Sequence, residues 1–379
     1  MNDRPVRVLH VITELGLGGA ESMLTGMLTK APVPGILPEV VSLVPGGANH
    51  DRLAEVGIAV TDLGLARGRG RLVALFALAR HMRKSQADIV QGWMYHANLA
   101  ATLAAALPMA PRIPVLWGIR CSDMDTSRYS WQLRAVIRAS VRLSRRPASV
   151  IANSQAGIAV HRELGFDPRR FDYIANGLDT ERFRPNPAAR TASRTSLALP
   201  GPDTPVLAVI ARVDPMKDHA SFLAALDRLP GAVGMVIGKG TKNLPDRPNL
   251  RRMGPSTDVP RLLAATDFIV NSSAFGEGFS NALAEGMAMG CPAVATDVGD
   301  ARVIVGETGH IVPPRDPAAL AAALAELIAE EPRAREARRH AARHRIETEF
   351  ALDRAAEAFA ALHREILAET RAGIRAAGR

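Results

Sequence analysis

The chain has 379 residues, 47% of them apolar and 22% charged, with two cysteines and a formal net charge of +9. At roughly 100–200 residues per domain, this length predicts two domains with sizeable cores; the composition excludes a collagenous, coiled-coil or disordered whole. Cys121 and Cys291 are too few for a disulfide framework or a cysteine zinc site, so a reducing, cytoplasmic setting is expected.

No secretory h-region is evident at the start. The longest stretch without Lys, Arg, Asp or Glu, residues 89–111, contains Gln91, His96, Asn98 and Pro108 and predicts no membrane span. Charge is uneven. Residues 1–185 carry 23 Lys and Arg against 15 Asp and Glu, net +8, which leaves net +1 for the remainder. That surface suits phosphates, nucleic acid or an anionic leaflet.

Short β-branched runs alternate with Ala/Leu-rich helical segments, the pattern of α/β domains with parallel sheets. The first strand, 6–13, runs into Glu14-Leu15-Gly16-Leu17-Gly18-Gly19-Ala20-Glu21 and then a helix. Glycines at such a turn allow close backbone approach, and a helix N-terminus offers free N–H groups to an anion; a turn with only a packing role is the alternative. Gly16-x-Gly18-x-x-Glu21 puts an acid where a dinucleotide fingerprint needs a small residue. The next strand, 39–44, lacks a ribose-binding acid, so NAD binding is disfavoured.

Further strands are expected at 58–63, 88–91, 113–117 and 149–152. Asp123-Met124-Asp125 looks like a metal-binding acid pair but sits in a loop beside Arg120 and Arg128, and no metal is expected. Residues 131–146 contain Arg134, Arg138, Arg142, Arg145 and Arg146 and no acid, with Leu133, Val136, Ile137, Val141 and Leu143 as apolar surface. A basic amphipathic helix of this kind reads either as a membrane-surface element or as the solvated face of an ordinary domain helix. Arg67, Arg69 and Arg71 form a second cluster.

Residues 182–205, with five prolines, read as a linker. Domains are therefore expected at 1–185 and 186–350, with residues 351–379 a C-terminal helix packing back toward the first. The second strand series comprises 206–212, 233–237, 268–271, 293–296 and 310–312. After its first strand come Arg212 and Lys217, five residues apart at the edge where open α/β sheets bind ligands. A planar fork with a point charge suits a pyrophosphate; pairing with Asp214 or Asp218 is the alternative.

Residues 271–290 are the most informative. Ser280 suits the N-cap of a helix whose free amides, those of Ser280 and Asn281 included, point at a ligand. Glu285 stands among Ala282, Leu283, Ala284, Gly286 and Met287, where a carboxylate costs several kcal/mol unless hydrogen-bonded. Two vicinal ribose hydroxyls would satisfy it, as would an arginine. Glu277 lies about 80° away on a helical wheel, near enough to face the same ligand.

In order and spacing these elements resemble the retaining GT-B glycosyltransferases of family 4 (group 1). Glu277 and Glu285 form its E-x7-E element, Arg212 and Lys217 its diphosphate pair, and Gly16 to Gly19 its first glycine loop. Gln91-Gly92-Trp93-Met94-Tyr95-His96, Ile151-Ala152-Asn153-Ser154 and Ile174-Ala175-Asn176-Gly177-Leu178-Asp179 also match. The resemblance covers residues 5–365. It implies two Rossmann-like domains facing across a cleft, the second holding a nucleotide sugar and the first an acceptor.

It further implies that Glu285 binds ribose and that Glu277 binds donor-sugar hydroxyls. Arg212 and Lys217 would neutralise the departing diphosphate in place of a metal. Gly18, Gly19, Gly238, Gly278, Phe279, Ser280 and Asn281 would complete the donor site, with base choice resting on backbone around Gly238 to Gly240 and Met253-Gly254. His96 would stand near the reacting centre, a core histidine being its alternative, and Arg120 would contact acceptor or diphosphate. The implied function is hexosyl transfer from a UDP- or GDP-linked sugar to a glycan or polyprenyl-linked acceptor, at a cytoplasmic or peripheral membrane location. Rival readings are a GT-B epimerase or phosphorylase, and a polyanion-binding protein. Aromatic residues are only 4%, which leaves few stacking platforms for nucleic acid.

Overall fold

The computed structural model describes residues 4–16, 18–65, 70–122 and 130–377. Arg67, Arg69, Asp123, Asp125 and Arg128 lie outside them. The chain forms two compact units: residues Met1–Gly177 with Leu352–Arg379, and residues Leu178–Ala351.

The first unit is built on β1 (Val6–Ile12), β2 (Ile36–Ser42), β3 (Val60–Asp62), β4 (Ile89–Trp93), β5 (Val115–Ile119), β6 (Ser149–Ala152) and β7 (Phe171–Tyr173). All pair in parallel in the order β3-β2-β1-β4-β5-β6-β7. Crossovers are made by α1 (Gly19–Lys30), α2 (Ala48–Glu55), α3 (Arg71–Lys84), α4 (Met94–Ala105), α5 (Trp131–Leu143) and α6 (Gln155–Glu163). Strands buried on both faces read as continuous apolar runs, which is why β1 and β6 are plain in the sequence. The order reverses between β1 and β4, so the C-terminal ends of those two strands flank the crevice where such sheets take ligands.

The second unit has β8 (Val206–Ile210), β9 (Val233–Ile237), β10 (Leu250–Gly254), β11 (Phe268–Asn271), β12 (Ala293–Thr296) and β13 (His310–Val312), parallel in the order β10-β9-β8-β11-β12-β13. Its helices are α7 (Pro187–Ser196), α8 (His219–Leu226), α9 (Val259–Leu263), α10 (Asn281–Ala288), α11 (Ala301–Val305), α12 (Pro317–Ala329) and α13 (Pro332–Glu349). Here the switch lies between β8 and β11.

Residues 182–205 are not a plain linker. Asn186 accepts from the Ala189 N–H at 3.0 Å and Pro187 takes the first helical position, so α7 starts inside the proline-rich stretch. Residues 178–183 belong to the second unit: the Leu178 N–H donates to the Phe350 carbonyl at 2.8 Å, and Arg343 donates to the Phe183 carbonyl at 3.0 Å. The division thus falls at Gly177/Leu178, eight residues before the sequence placed it.

After Ala351 the chain returns to the first unit as α14 (Leu352–Ala377). Leu352, Ala355, Phe359, Leu362 and Ile366 bury themselves against Leu24, Met27 and Leu28 of α1. Gly177 admits this helix closely, since a Cβ there would stand 2.7 Å from Leu352 Cα.

The same helix brings His363 beside a second buried histidine, the two ring centroids 6.2 Å apart, each bonded to a residue of β4. Trp93 Nε1 donates to His10 Nδ1 at 3.2 Å, and His363 Nε2 meets Gln91 Oε1 at 2.6 Å. Burial pushes both His10 and His363 down to about 3. Their folded values lie below the ordinary 6.5, so the unfolded chain binds more protons in between and stability is lost as pH falls through that window. Each histidine contributes up to about 1.4 kcal/mol per pH unit. Denaturant unfolding between about pH 6 and 4 should show this slope, reduced by about one proton in His363→Gln; an unchanged slope would contradict the assignment.

Candidate functional site

In the second unit, both chemistry-bearing segments leave the strand ends that flank the switch point. From β8, Asp214 caps a short turn at residues 215–217, accepting from the Met216 N–H at 2.9 Å, and this aims Lys217 inward with a side chain 18% exposed. Asp218 adopts φ 41° and caps α8 through Ser221, so it is not the partner of Lys217.

From β11 comes Asn271-Ser272-Ser273 and then the glycine loop. The ammonium of Lys217 is bonded to Glu277 Oε1, and Ser273 Oγ donates to the same oxygen at 2.6 Å. Ser272 Oγ ties back to the Lys217 carbonyl at 2.9 Å. Arg212 is 58% exposed and reaches Asp214 at 3.3 Å, so the simple surface pairing holds for this residue but not for Lys217. Weak exposed pairing leaves the guanidinium available to an incoming anion.

Helix α10 begins beside this pair. Ser280 accepts from the Leu283 N–H at 3.4 Å and from Asn271 Nδ2 at 3.1 Å, which locks the helix start onto the end of β11. Gly286 allows the helix to lie on the sheet, since a Cβ would come 2.4 Å from Ile269. Glu285 projects from this helix. The residue is partly buried, and loss of hydration pushes its carboxyl up to about 7 against a weaker opposing pull from Arg182. Among the described residues nothing hydrogen-bonds or ion-pairs with it; the arginine partner allowed by the sequence acts only at a distance.

Gly238, at φ 146° after β9, is required by close approach: a Cβ would meet the Ala211 carbonyl oxygen at 2.2 Å, next to Arg212. Phe279 is buried against Phe350, ring centroids 5.3 Å apart, so only its backbone is open to a ligand. The Gly278 carbonyl accepts from the Asp300 N–H at 3.1 Å.

Reading the residues alone assigns no role to Ser273, Ser272, Asn271 or Gly299. A run of small polar residues after an apolar strand was the available signal for the first three. Gly299, at φ 64°, would put a Cβ 2.3 Å from the Glu277 carbonyl oxygen. Gly299→Ala should therefore displace the Glu277 loop and cost about 1–3 kcal/mol; an unchanged melting temperature would show that the loop yields freely.

In the first unit, Gly18 is the extended N-cap of α1, and Gly19 is its first residue. A Cβ on Gly18 would stand 2.2 Å from Glu21 Oε2, so this helix end is answered by its own acid. Burial raises the Glu21 carboxyl, its own backbone N–H opposes the shift, and Glu14 adds to it. His96 follows β4 in the first turn of α4, after Met94 at φ 68°; it is exposed and not a core histidine.

Arg120, after β5, is the unusual cation. Its guanidinium lies 4.7 Å from the Trp93 ring centroid and 5.4 Å from that of Phe359 and donates to Asn176, which also accepts from Asn153 at 3.2 Å. Burial pushes it down to about 9, and its Nε is buried without a partner. The 151–154 and 174–179 segments thus meet at this guanidinium.

The basic helix is α5. Its apolar residues Leu133, Val136, Ile137, Val141 and Leu143 pack into the unit's own core, and Trp131 alone among its large apolar side chains stays exposed. This half of the amphipathic pattern serves folding. Arg145 pairs with Asp167, and Arg146 is exposed on the following turn. Among the described residues no helix is long and apolar enough to cross a membrane, and no group of three His, Cys, Asp or Glu could hold a metal.

Solved structures that share this architecture include glycosyltransferases of the GT-B fold, and this is the fold of the chain. HepE of Anabaena in complex with UDP superposes with a TM-score of 0.79 at 20% identity, covering 95% of this chain and 100% of that one. A glycosyltransferase from Rickettsia africae gives 0.79 at 19% identity, covering 96% and 99%. In sequence, the D-inositol 3-phosphate glycosyltransferase of Mycobacterium marinum is 33% identical over 184 residues, 44% of this chain and only 38% of that protein's length. The model of Glycosyltransferase Family 4 matches residues 17–182, and that of Glycosyl transferases group 1 matches residues 204–330. The chain belongs to the family 4, group 1 glycosyltransferases.

Proposed function

We propose that the protein transfers a hexosyl unit, with retention, from a UDP- or GDP-linked sugar to a glycan or lipid-linked acceptor. The observation that carries this reading is Glu285: a carboxyl with no partner among the described residues, raised to about 7, at a strand-edge switch point that also presents Arg212 and Lys217. A ribose diol supplies the missing donors, and the two cations answer the diphosphate, so the charge a metal would bring is supplied by side chains. Glu277, held by Lys217 and Ser273, receives donor-sugar hydroxyls. The amides of Gly278, Phe279, Ser280 and Asn281 and the backbone at Gly238 complete the donor site.

From the first unit, Gly18, Gly19 and His96 are assigned to the reacting end, and Arg120 to a phosphate of acceptor or donor. Support for the donor class comes from the UDP and UDP-glucose complexes of HepE, and for an anionic acceptor from the inositol phosphate in the mycobacterial relative's name. Arg134, Arg138, Arg142, Arg145 and Arg146 suit an anionic membrane surface at the cytoplasmic face.

The test is turnover of UDP-, GDP- and ADP-hexoses in EDTA, with the product's anomeric configuration read by NMR. One donor class turned over with retained configuration is expected. Inversion, or turnover only when a divalent metal is restored, would overturn the corresponding part of the reading.

A further inference from the structure

We propose that the first unit holds the hydrocarbon chain of an anionic, small-headed lipid acceptor in an apolar cavity at the C-terminal edge of its sheet. This deepens the transfer reading above and rests on it. The cavity measures about 750 Å³, within the range of roughly 300–1,000 Å³ usual for small-molecule sites. Its floor is formed where β1, β2 and β3 end, and its walls come from α3, α4 and α5. Leu43, Leu75, Leu78, Leu99, Leu103 and Val136 give it an apolar lining. A saccharide buried there would leave hydroxyl groups without partners, each at a cost, whereas a chain of methylenes loses nothing.

Three further observations fix the occupant. First, the outer faces of two of the wall helices carry exposed apolar side chains: Leu72 and Val73, each 72% exposed, and Phe76 on α3, with Trp131 on α5. Scattered apolar residues are ordinary on a surface, but these stand on two helices that also line the cavity, three of them within five positions of α3, and suit contact with lipid. Second, Arg134, Arg138 and Arg142 are exposed along one stripe of α5 and have no carboxylate partner among the described residues, which favours a negatively charged head. Third, the cavity is also lined by His96 and by Glu14, which precedes the glycine loop.

The third observation limits the head. His96, assigned above to the reacting end, is itself part of the cavity lining, so an acceptor held here has its accepting hydroxyl close to the start of its chain. A long lipid-linked oligosaccharide would carry its reacting end far from the chain and does not fit.

The test is calorimetric titration of the full chain with octyl, decyl and dodecyl phosphate and with geranyl and farnesyl phosphate, all below their micelle-forming concentrations. Affinity should rise about fourfold per added methylene until the cavity is full; the tighter series tells a straight chain from an isoprenoid. Ala100→Phe, which fills the cavity, and Leu103→Glu, which charges it, should each weaken binding about tenfold or more. Melting temperatures and stabilisation by UDP or GDP should stay at wild-type values in both, and this shows that the variants are folded.

No binding of any chain, affinity indifferent to chain length, or variants that bind like wild type would overturn the proposal. So would variants that shift only a monomer–dimer equilibrium, since the apolar face would then be a subunit contact. Chains that fail while nucleotides still stabilise would sink the cavity assignment alone; chains that bind while no nucleotide stabilises would sink the transfer reading and leave the cavity.

Discussion

Lys217→Ala should lower turnover about 10²–10³-fold at saturating donor, and Arg212→Ala should act in the same direction, because both charges act on negative charge that builds on the departing diphosphate. The two variants should differ in stability. Arg212 is 58% exposed with a long contact to Asp214, so its removal is nearly neutral for the fold. Lys217 is mostly buried and bonded to Glu277, so its loss leaves a buried carboxylate held by Ser273 alone and costs about 1–3 kcal/mol. Steady-state rates with denaturant melts on both variants check this. If both variants keep near wild-type turnover, the diphosphate role is wrong.

Glu285→Gln should weaken nucleotide binding about 10–10²-fold, the worth of hydrogen bonds to a charged group, and yet stabilise the unliganded protein at alkaline pH. The folded carboxyl, at about 7, lies above its ordinary 4.5, so the folded state holds the proton more tightly than the unfolded chain. Stability is therefore lost as pH rises from the ordinary value through about 7, and the full penalty of the buried charge is present above that. Glutamine carries no charge and escapes it. Nucleotide affinity should move the opposite way in the wild type, rising with pH through about 7 as the carboxylate that accepts the ribose hydroxyls forms. In the variant the rise in affinity and the loss of stability that Glu285 causes between the ordinary carboxylate range and about 7 should both vanish, leaving the slope from His10 and His363 in place. Parallel pH profiles for the two proteins would remove Glu285 from the donor site.

The parts of this site legible in the sequence were those whose residue type conflicts with its neighbours. Glu285 among alanines and methionines, and Arg212 and Lys217 just past an apolar strand, announce themselves because a charge in such places needs a compensating group. Ser273 and Gly299 do not. They matter through space: Ser273 by a hydrogen bond to Glu277, Gly299 by the room it leaves for the carbonyl of Glu277, 22 residues earlier in the chain. The pairing of Lys217 with Glu277 spans 60 residues and needs the sheet to form it.

The same holds for the fold. Strands buried on both faces, such as β9 (Val233–Ile237) and β12 (Ala293–Thr296), are uninterrupted apolar runs and were placed at their observed bounds. The edge strands β7 and β10 were missed. One is Phe-Asp-Tyr and the other contains Arg251 and Arg252, so half-exposed positions erase the apolar signal. Helix α7 was hidden by prolines that in fact mark its start. The basic pattern of α5 is amphipathic in the sequence, but only the structure shows that most of its apolar face packs on the core while Val136 also borders the cavity and Trp131 stays exposed.

The most direct test of the donor site is thermal stabilisation by UDP, GDP and ADP in the presence of EDTA, on wild-type and Glu285→Ala protein. One nucleotide at about 100 times its dissociation constant should add roughly 2.7 kcal/mol to the wild type, and the shift should disappear in the variant. Stabilisation by none of the three, or an equal shift in both proteins, would contradict a nucleotide-sugar site built on Glu285.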